Sequence, residues 1–197
     1  MNIIFACDKK YGIGINNKLP PWKIKGDLAR FSKLTTGDGN NVVLMGKNTY
    51  LSLPNQYLKN RQNIVVSNTL FEKYSENHNK IMYCGEDIIY SIHNNTIFLS
   101  NFSDAYKYAK HYVSDNYQSG VIGEIWAIGG SLIYEKAIEL NLINQIYVTY
   151  VNETYKCDTF LSDRTITFLN KHKNKIKELV KSYHIGYDEH EYCIYVY

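Results

Sequence analysis

Short apolar runs recur along this chain and are separated by amphipathic stretches. Residues 3–7, 42–45 and 125–128 are apolar without a break, and each run stops at a charged residue or a glycine. Runs of this length without alternating polar positions indicate strands buried on both faces of a sheet. Further strands are predicted at residues 63–67, 97–99 and 146–151.

Helical spacing appears between these runs. Leu28, Phe31 and Leu34 fall on one face of a helix over residues 27–36, which the Gly- and Asn-rich segment 37–41 ends. Two more helices are predicted over residues 103–113 and from the glycine pair at 129–130 to about residue 140. Strands interleaved with helices predict an α/β fold, a sheet with helices on both faces.

The end of the chain has a different pattern. Residues 180–186 and 191–197 flank a polar turn, which predicts an antiparallel pair of strands. The lysines of residues 171–181 indicate a solvated helix face. Residues 69–124 carry the weakest pattern, and we expect surface insertions there.

The composition fits one globular domain over residues 1–197. Hydrophobic residues make up 45% and charged residues 21%, and the net charge of +3 is too small to indicate a nucleic-acid partner. No stretch approaches the roughly 18 apolar residues of a membrane span, and Asp8 cuts the apolar start too short for a signal peptide. The cysteines lack paired spacing, so we expect reduced thiols and a cytoplasmic location. They are Cys7, Cys84, Cys157 and Cys193.

Two apolar runs end in glycine just before a predicted helix. The first ends at Gly46 and continues with Lys47, and the second ends at Gly129 and Gly130 before Ser131. Glycine allows close backbone approach to a ligand, and a helix N-terminus presents free N–H groups to an anion. Two such ends suit a dinucleotide pyrophosphate. The same pattern also serves ordinary strand-to-helix turns, and neither GxGxxG nor a Walker loop is present.

Asp27 shares the apolar face of its helix with Phe31 and Leu34, one and about two turns further on. Aspartate is favoured at helix N-caps, so Asp27 could cap the first turn. It could instead line a cavity, where a buried carboxylate requires a cationic or hydrogen-bonding partner. The two interpretations differ in what the carboxylate contacts.

Arg61 and Thr149 are two further candidates. Arg61 stands just before a buried strand and could bind a carboxylate ligand as a fork, or it could be a surface arginine. Thr149 lies in a predicted strand, where threonine is favoured in any case. The six histidines form no HExxH pattern and GxSxG is absent, so neither metal nor serine-hydrolase chemistry is predicted.

Taken in order, these segments resemble dihydrofolate reductases along the whole chain. The resemblance implies an eight-stranded, mostly parallel sheet with helices on both faces and an antiparallel C-terminal edge. It also implies hydride transfer from NADPH to C6 of dihydrofolate, with protonation at N5. The matching segments are IIFAC at 3–7, GIG at 12–14, LPPWKIKGDLARF at 19–31, VLMGKNTY at 43–50, LKNRQNIVVS at 58–67, IWAIGGSLIY at 125–134, YVT at 147–149, CDTF at 157–160 and YC at 192–193.

For Asp27 the resemblance implies the cavity role. Its carboxylate would bind the pterin 2-amino group and N3, and its charge would favour protonation at N5 without reaching that atom. Trp22 would hold an ordered water near Asp27, and Thr149 would hydrogen-bond the carboxylate. Leu19 would lie in a loop that closes over the nicotinamide. An electrostatic role of this kind is strongest where water is excluded.

The resemblance also assigns the remaining binding residues, and it implies no metal. Arg61 would clasp the α-carboxylate of the glutamate tail, with Leu58 beside the benzoyl ring. The other pterin-pocket residues would be Ile4, Phe5, Ala6, Phe31, Leu53 and Ile128. The cofactor residues would be Ala6, Ile13, Gly46, Lys47, Asn48, Thr49, Ser67, Asn68, Gly129, Gly130, Ser131, Leu132, Ile133 and Tyr134.

The chain departs from the family pattern in two places. Pro20 and Pro21 both precede Trp22, where many relatives have one proline, and the extra residue could stiffen loop closure. Arginines that often bind the adenosine 2′-phosphate are replaced by Asn68, Asn101 and Leu132, leaving Lys47 as the obvious cation. We therefore expect NADPH as cofactor, with weaker discrimination against NADH than is usual.

Two other functions fit parts of the pattern. A pyrimidine reductase of riboflavin synthesis would share the architecture, but it would not be expected to need Trp22, Asp27 and Arg61 together. A catalytically silent pteridine- or nucleotide-binding protein would not be expected to retain that set. The expected partners are dihydrofolate and antifolate-type small molecules, and we expect a monomer without nucleic-acid or membrane contacts.

Overall fold

A computed structural model describes residues 1–22, 24, 26–115, 121–172, 178–182 and 192–196, the last two ranges by their backbone. These residues form twelve strands, six helices and a 3₁₀ turn at Ser75–Asn77. The strands are β1 (Asn2–Cys7), β2 (Gly12–Gly14), β3 (Val42–Gly46), β4 (Gln62–Val66), β5 (His78–Tyr83), β6 (Glu86–His93), β7 (Thr96–Leu99), β8 (Ile125–Gly129), β9 (Gln145–Val151), β10 (Thr159–Phe160), β11 (Glu178–Ser182) and β12 (Tyr192–Val196). The helices are α1 (Asp27–Thr36), α2 (Lys47–Ser52), α3 (Asn68–Lys73), α4 (Phe102–Asp115), α5 (Ser131–Glu139) and α6 (Asp163–His172).

Ten strands form one sheet in the order β11-β12-β9-β1-β8-β3-β4-β7-β6-β5. The neighbours from β9 to β7 pair in parallel, and the pairs at both ends are antiparallel. The eight strands from β11 to β7 confirm the predicted mostly parallel sheet with an antiparallel C-terminal edge. The β5–β6 hairpin adds two strands at the opposite edge. β2 and β10 pair separately.

Helices cover both faces of the sheet, so successive side chains of a central strand enter different cores. In β8, Ala127 packs in one core and Trp126 in the other. The first core includes residues of α4 and α5, and the second includes residues of α1, α2 and α3. Burial on both sides explains why the central strands are apolar without alternation.

Residues 69–124 contain regular structure that the pattern did not reveal. The β5–β6 hairpin turns at Cys84 and Gly85, which have φ of +52° and +80°. β5 lies at the sheet edge and is mostly exposed, so it has no apolar periodicity. The helix expected over residues 171–181 was wrong, since α6 ends at His172 and 178–182 form β11.

Three of the four cysteines, Cys7, Cys84 and Cys157, are free thiols, and the side chain of Cys193 lies outside the described part of the chain. Burial raises the pKa of the Cys7 thiol, with a further contribution from the Asp8 charge. Within the described ranges, no helix combines the length and apolar content needed to cross a bilayer.

Asn63 of β4 fixes the loop that precedes its strand. Its side chain is fully buried. The Oδ1 atom accepts from the Leu58 N–H at 2.8 Å, and Nδ2 donates to the carbonyls of Leu58 and Arg61 at 2.8 and 2.9 Å. These three hydrogen bonds hold residues 58–61 against the sheet.

We predict that Asn63→Ala lowers the free energy of unfolding by about 2–4 kcal/mol, because it leaves buried backbone groups of the 58–61 loop without partners. Asn63→Asp keeps the acceptor but loses both donor bonds, so it should also destabilise. Gln62→Ala is the control, since Gln62 makes one bond to a neighbouring carbonyl. Urea unfolding measures all three, and equal losses for Asn63→Ala and Gln62→Ala would contradict this role.

Candidate active site

Asp27 begins α1 and contacts β9. Thr149 Oγ1 donates to Asp27 Oδ1 at 2.6 Å, and Thr149 is only 4% exposed. The N-cap of α1 is Gly26, with φ of +87°, and no side chain caps the helix. The N-cap interpretation of Asp27 is therefore wrong, and the carboxylate faces the sheet.

The surroundings of Asp27 act on its charge in opposite directions. Burial raises the pKa of the Asp27 carboxyl above its ordinary value, since removal from water disfavours the ionised form. The hydrogen bond from Thr149 and the positive charge of Arg30 lower that pKa, and burial has the larger effect. Asp27 is thus held in an environment where proton binding is easier than in water.

The sheet register places the predicted pterin-pocket residues. β1 and β9 are parallel neighbours with Ala6 opposite Thr149, so Ala6 lies beside the Asp27 contact. Five of the other predicted wall residues share one apolar cluster. They are Ile4, Phe31, Leu53, Leu58 and Ile128.

Phe5 does not join this cluster. Its side chain packs in the core on the other face of the sheet, with its ring centroid 5.2 Å from that of Tyr134. Strand alternation requires this, because Ile4 and Ala6 point to the opposite face. The expectation that Phe5 walls the same pocket with its side chain is therefore corrected.

Arg61 packs against the C-terminal half of α1. Its Nη1 donates to Thr35 Oγ1 in a short bond, and its Nη2 lies 3.5 Å from Ser32 Oγ. Its Nε donates to the Lys59 carbonyl at 2.9 Å. Partial burial lowers the pKa of the guanidinium. Arg61 is thus held in place by α1 and its own loop, while Asp27 lies at the other end of the same helix.

The two glycine turns lie side by side. β3 and β8 are parallel neighbours, with Met45 opposite Gly129. Gly129 has φ of +129°, and a Cβ there would lie 2.9 Å from Thr49 Oγ1 and 3.1 Å from the Tyr134 hydroxyl. The peptide bond between Gly129 and Gly130 is cis. Only glycine fits at this position, so close to the side chains of Thr49 in α2 and Tyr134 in α5.

The other predicted cofactor residues lie along the same strand ends and the helices that follow them. Ser67 is the N-cap of α3, where its Oγ accepts from the Leu70 N–H at 3.2 Å. Asn68 begins α3 and is exposed. Leu132, near the start of α5, is 76% exposed. Ile13 lies in β2 and is half-buried.

A buried proline and a ring contact hold the segment before α1. Pro20 is buried, whereas Pro21 and Leu19 are exposed. The Trp22 ring packs edge-on against Tyr155, with centroids 5.3 Å apart. The second proline therefore faces solvent, and the first is part of the packed structure.

Two aspartates that sequence reasoning missed anchor the preceding loop. Asp158 Oδ2 accepts from the Asn16 N–H at 2.7 Å, which lowers the pKa of the Asp158 carboxyl. Buried Asp8 accepts from the N–H groups of Lys10, Gly12 and Tyr155 at 2.7–2.9 Å. These contacts tie the segment after β9 to the loop that leads to Trp22.

A sequence signal for this loop was available. Asn16 and Asn17 have φ of +51° and +56° and form a two-residue turn between Ile15 and Lys18. Paired asparagines suit such turns, because both central residues have positive φ.

Leu28 of α1 is a further candidate that the sequence did not single out. This large apolar side chain lies next to Asp27 in the sequence and is 67% exposed.

The fold and the site together define a class. The paired glycine turns lie at the carboxyl ends of parallel strands, and the Asp27–Thr149 contact lies near the carboxyl end of β9. The glycine turns and the carboxylate are therefore at the same end of the strands. In the described ranges, no three His, Cys, Asp or Glu side chains come together as a metal site. This arrangement is typical of α/β proteins that bind a nucleotide at the carboxyl ends of parallel strands.

The chain belongs to the dihydrofolate reductase family, whose sequence model matches residues 1–190. The dihydrofolate reductase of Drosophila melanogaster is 32% identical over 165 residues, 81% of this chain and 77% of the fly protein. The dihydrofolate reductase type 8 of Escherichia coli is 32% identical over 197 residues, 99% of this chain and 92% of that protein. The dihydrofolate reductase of Heliothis virescens is 28% identical over 166 residues, 81% of this chain and 77% of that protein.

We predict that Asp27→Asn stabilises the protein at neutral pH. The folded state raises the pKa of Asp27, so stability is complete below the unfolded pKa and falls as pH rises through the folded one. Asparagine removes the buried charge and can still accept from Thr149. The thermal midpoint of Asp27→Asn should exceed that of the unmodified protein at pH 7, and the difference should vanish below about pH 4. Exposed Asp38→Asn is the control, and a lower midpoint for Asp27→Asn at pH 7 would contradict the prediction.

Proposed function

We propose that the protein reduces 7,8-dihydrofolate to 5,6,7,8-tetrahydrofolate, using a hydride that NADPH supplies to C6. The observation that carries this proposal is the Asp27–Thr149 hydrogen bond at the sheet edge that also bears the paired glycine turns. Family membership supports the same activity. In one-carbon metabolism, this reaction regenerates the folate used in thymidylate synthesis.

Asp27 would orient the pterin and stabilise positive charge on it. An ionised carboxylate accepts two hydrogen bonds side by side, which fits the donors at the pterin 2-amino group and N3. Its negative charge also favours the protonated form of N5, so it assists proton uptake without contacting that atom. The Thr149 bond fixes the carboxylate, and Trp22 would hold the water that lies near it.

Arg61 would bind the glutamate end of dihydrofolate. Asp27 and Thr35 are eight residues apart on α1, a rise of about 12 Å, and Arg61 contacts Thr35. A ligand lying along α1 can therefore reach the carboxylate with one end and the guanidinium with the other. Leu28, Phe31 and Leu58 supply apolar surface between these two charged groups.

The glycine turns fit a dinucleotide at the neighbouring strand ends. A side chain at position 129 would collide with Thr49 Oγ1 and the Tyr134 hydroxyl, so glycine keeps this turn free for a ligand. Gly46 and Gly130 precede α2 and α5, and their segments would hold the pyrophosphate. Leu19 would lie over the nicotinamide when the loop closes, and Ser67 would be near the adenosine.

We predict that Asp27→Asn lowers turnover of dihydrofolate with NADPH by at least about 100-fold at neutral pH, because the charge that favours N5 protonation is lost. Absorbance of NADPH follows the reaction. The loss should decrease at acidic pH, where solution protonates dihydrofolate without help. Full turnover in Asp27→Asn would contradict this role. A folded unmodified protein that binds both ligands without turnover would favour the catalytically silent alternative.

We expect few positively charged side chains near the 2′-phosphate of bound NADPH. Asn68 and Leu132 stand where an arginine is frequent, and Asn101 is engaged at the start of α4. Asn101 Nδ2 donates to Asp104 Oδ2 at 2.8 Å, and its Oδ1 accepts from the Asp104 N–H at 2.9 Å. The Asp104 carboxylate therefore lies beside Asn101, and a negative charge there would disfavour a phosphate. Lys47 at the start of α2 remains the expected partner, which supports weak discrimination between NADPH and NADH.

We predict that Lys47→Ala lowers kcat/KM for NADPH by about tenfold and leaves kcat/KM for NADH nearly unchanged, because only NADPH carries the phosphate. Lys73→Ala in α3 is the matched control for loss of a nearby positive charge. Steady-state kinetics with both cofactors measure the ratio. A strong NADPH preference that survives Lys47→Ala would show that another cation binds the phosphate.

The remaining proposals concern the setting of this activity. We propose that residues 1–197 act as one domain and as a monomer in the cytoplasm, with dihydrofolate and antifolate-type molecules as ligands. A pyrimidine reductase of riboflavin synthesis remains the alternative enzyme. Assays with dihydrofolate and with a ribosylated aminopyrimidine would separate the two.

A further inference from the structure

Among the residues that the structure describes, Arg30 is a charged side chain near Asp27 that the proposed reaction does not use. It follows Asp27 by three residues on α1, so the two share a face one helical turn apart. The ion pairs found between described residues do not include Arg30. Arg30 therefore makes no close ion pair in that part of the chain, and its charge acts on the Asp27 carboxyl one turn away.

The guanidinium of Arg30 rests on an aromatic platform. Its Cζ lies 5.6 Å from the ring centroid of Tyr147, within range of a cation–π contact. Tyr147 is itself held, since its hydroxyl donates to Gln145 Oε1 at 2.7 Å and its ring packs 5.0 Å from that of buried Trp126. This platform fixes where the positive charge lies.

The platform and the Thr149 hydroxyl belong to one strand face. Tyr147 and Thr149 are two residues apart in β9, so both side chains point toward α1. β9 thus contacts Asp27 through Thr149 and Arg30 through Tyr147. One strand sets the positions of a carboxylate and a guanidinium on adjacent turns of the helix that it faces.

The other described groups that face Asp27 carry no charge comparable to that of Arg30. β1 presents Ala6 opposite Thr149, and β9 presents the neutral hydroxyls of Thr149 and Tyr147. The segment before α1 presents Trp22, while Lys23 and Lys25 lie outside the described residues. On α1 itself, Lys33 is a further turn away and exposed.

We propose that Arg30 is a positioning residue for the reduction: Tyr147 holds its guanidinium one turn from Asp27, and its fixed charge sets the pH range over which the cleft is active. This inference rests on the proposed reduction of dihydrofolate. A fixed positive charge disfavours protons on every nearby group, both the Asp27 carboxyl and N5 of the bound pterin. Its removal therefore moves both titrations in the same direction, toward higher pH.

The test compares Arg30→Gln, Arg30→Lys and Lys33→Gln. The first readout is a carboxyl ¹³C NMR titration of the ligand-free protein, with Asp27→Asn used to assign the Asp27 signal. The second is the alkaline midpoint of the pH–kcat profile with dihydrofolate and NADPH. Arg30→Gln should raise both midpoints by about half a pH unit. Arg30→Lys should restore most of the original values, because the charge is kept.

Lys33→Gln removes the same charge from the next turn of α1 and should leave both midpoints unchanged. An unshifted Asp27 titration in Arg30→Gln would overturn the proposal, and so would an equal shift in Lys33→Gln. The NMR readout needs no substrate. A protein that shows the Arg30-dependent titration but no turnover would contradict the proposed reduction and leave the electrostatic role of Arg30 intact.

Discussion

The hydrogen bond from Thr149 to Asp27 is the contact on which the cleft depends. It joins the first residue of α1 to β9, across 122 positions of sequence. α1 has no side-chain cap, so this bond is what locates its N-terminus against the sheet. Because β9, β1, β8 and β3 are consecutive neighbours, the same bond sets the distance between the carboxylate and the glycine turns.

The hydrogen bond from Thr149 also explains how the fold tolerates a charged carboxylate at this site. A carboxylate in a half-buried position is expensive unless a donor meets it, and Thr149 provides that donor from a nearly inaccessible strand position. Arg61 is also held near the other end of α1, where its Nε donates to the Lys59 carbonyl and its Nη1 donates to Thr35 Oγ1. The buried carboxylate of Asp27 lowers the stability of the folded protein, and in the proposed function the same charge binds the ligand.

The central fold could be predicted because its strands are buried on both faces. The bounds of α1 were predicted correctly, since its apolar spacing begins at Leu28, directly after Asp27, and the Gly- and Asn-rich segment 37–41 ends it. β5 could not be predicted, because an exposed edge strand has no buried face to impose a pattern. The end of α6 at His172 was missed because lysines suit an edge strand as well as a helix, and β11 is an edge strand.

The site was harder to predict than the fold. An aspartate that caps a helix and one that lines a cavity look the same in the sequence, because both stand at the start of a helix. The hydrogen bond from Thr149 of β9 distinguishes the two. The role of Asn63 was invisible for the same reason, since a buried amide at a strand start resembles a loop residue until its three backbone partners are known. The error at Phe5 was avoidable, because strand alternation alone puts it opposite Ile4 and Ala6.

The division of the sheet into two cores has a consequence for inhibitor resistance. Ile4 of β1 and Trp126 and Ile128 of β8 belong to the core on the α1 side of the sheet, and the apolar residues next to them belong to the opposite core. In the proposed pterin pocket, a change at Ile4 or Ile128 would alter the surface that an antifolate contacts while the opposite core stays intact. A change at Ile3 or Ala127 costs stability without touching the drug. Selection with antifolates should therefore produce substitutions at alternate positions of these two strands.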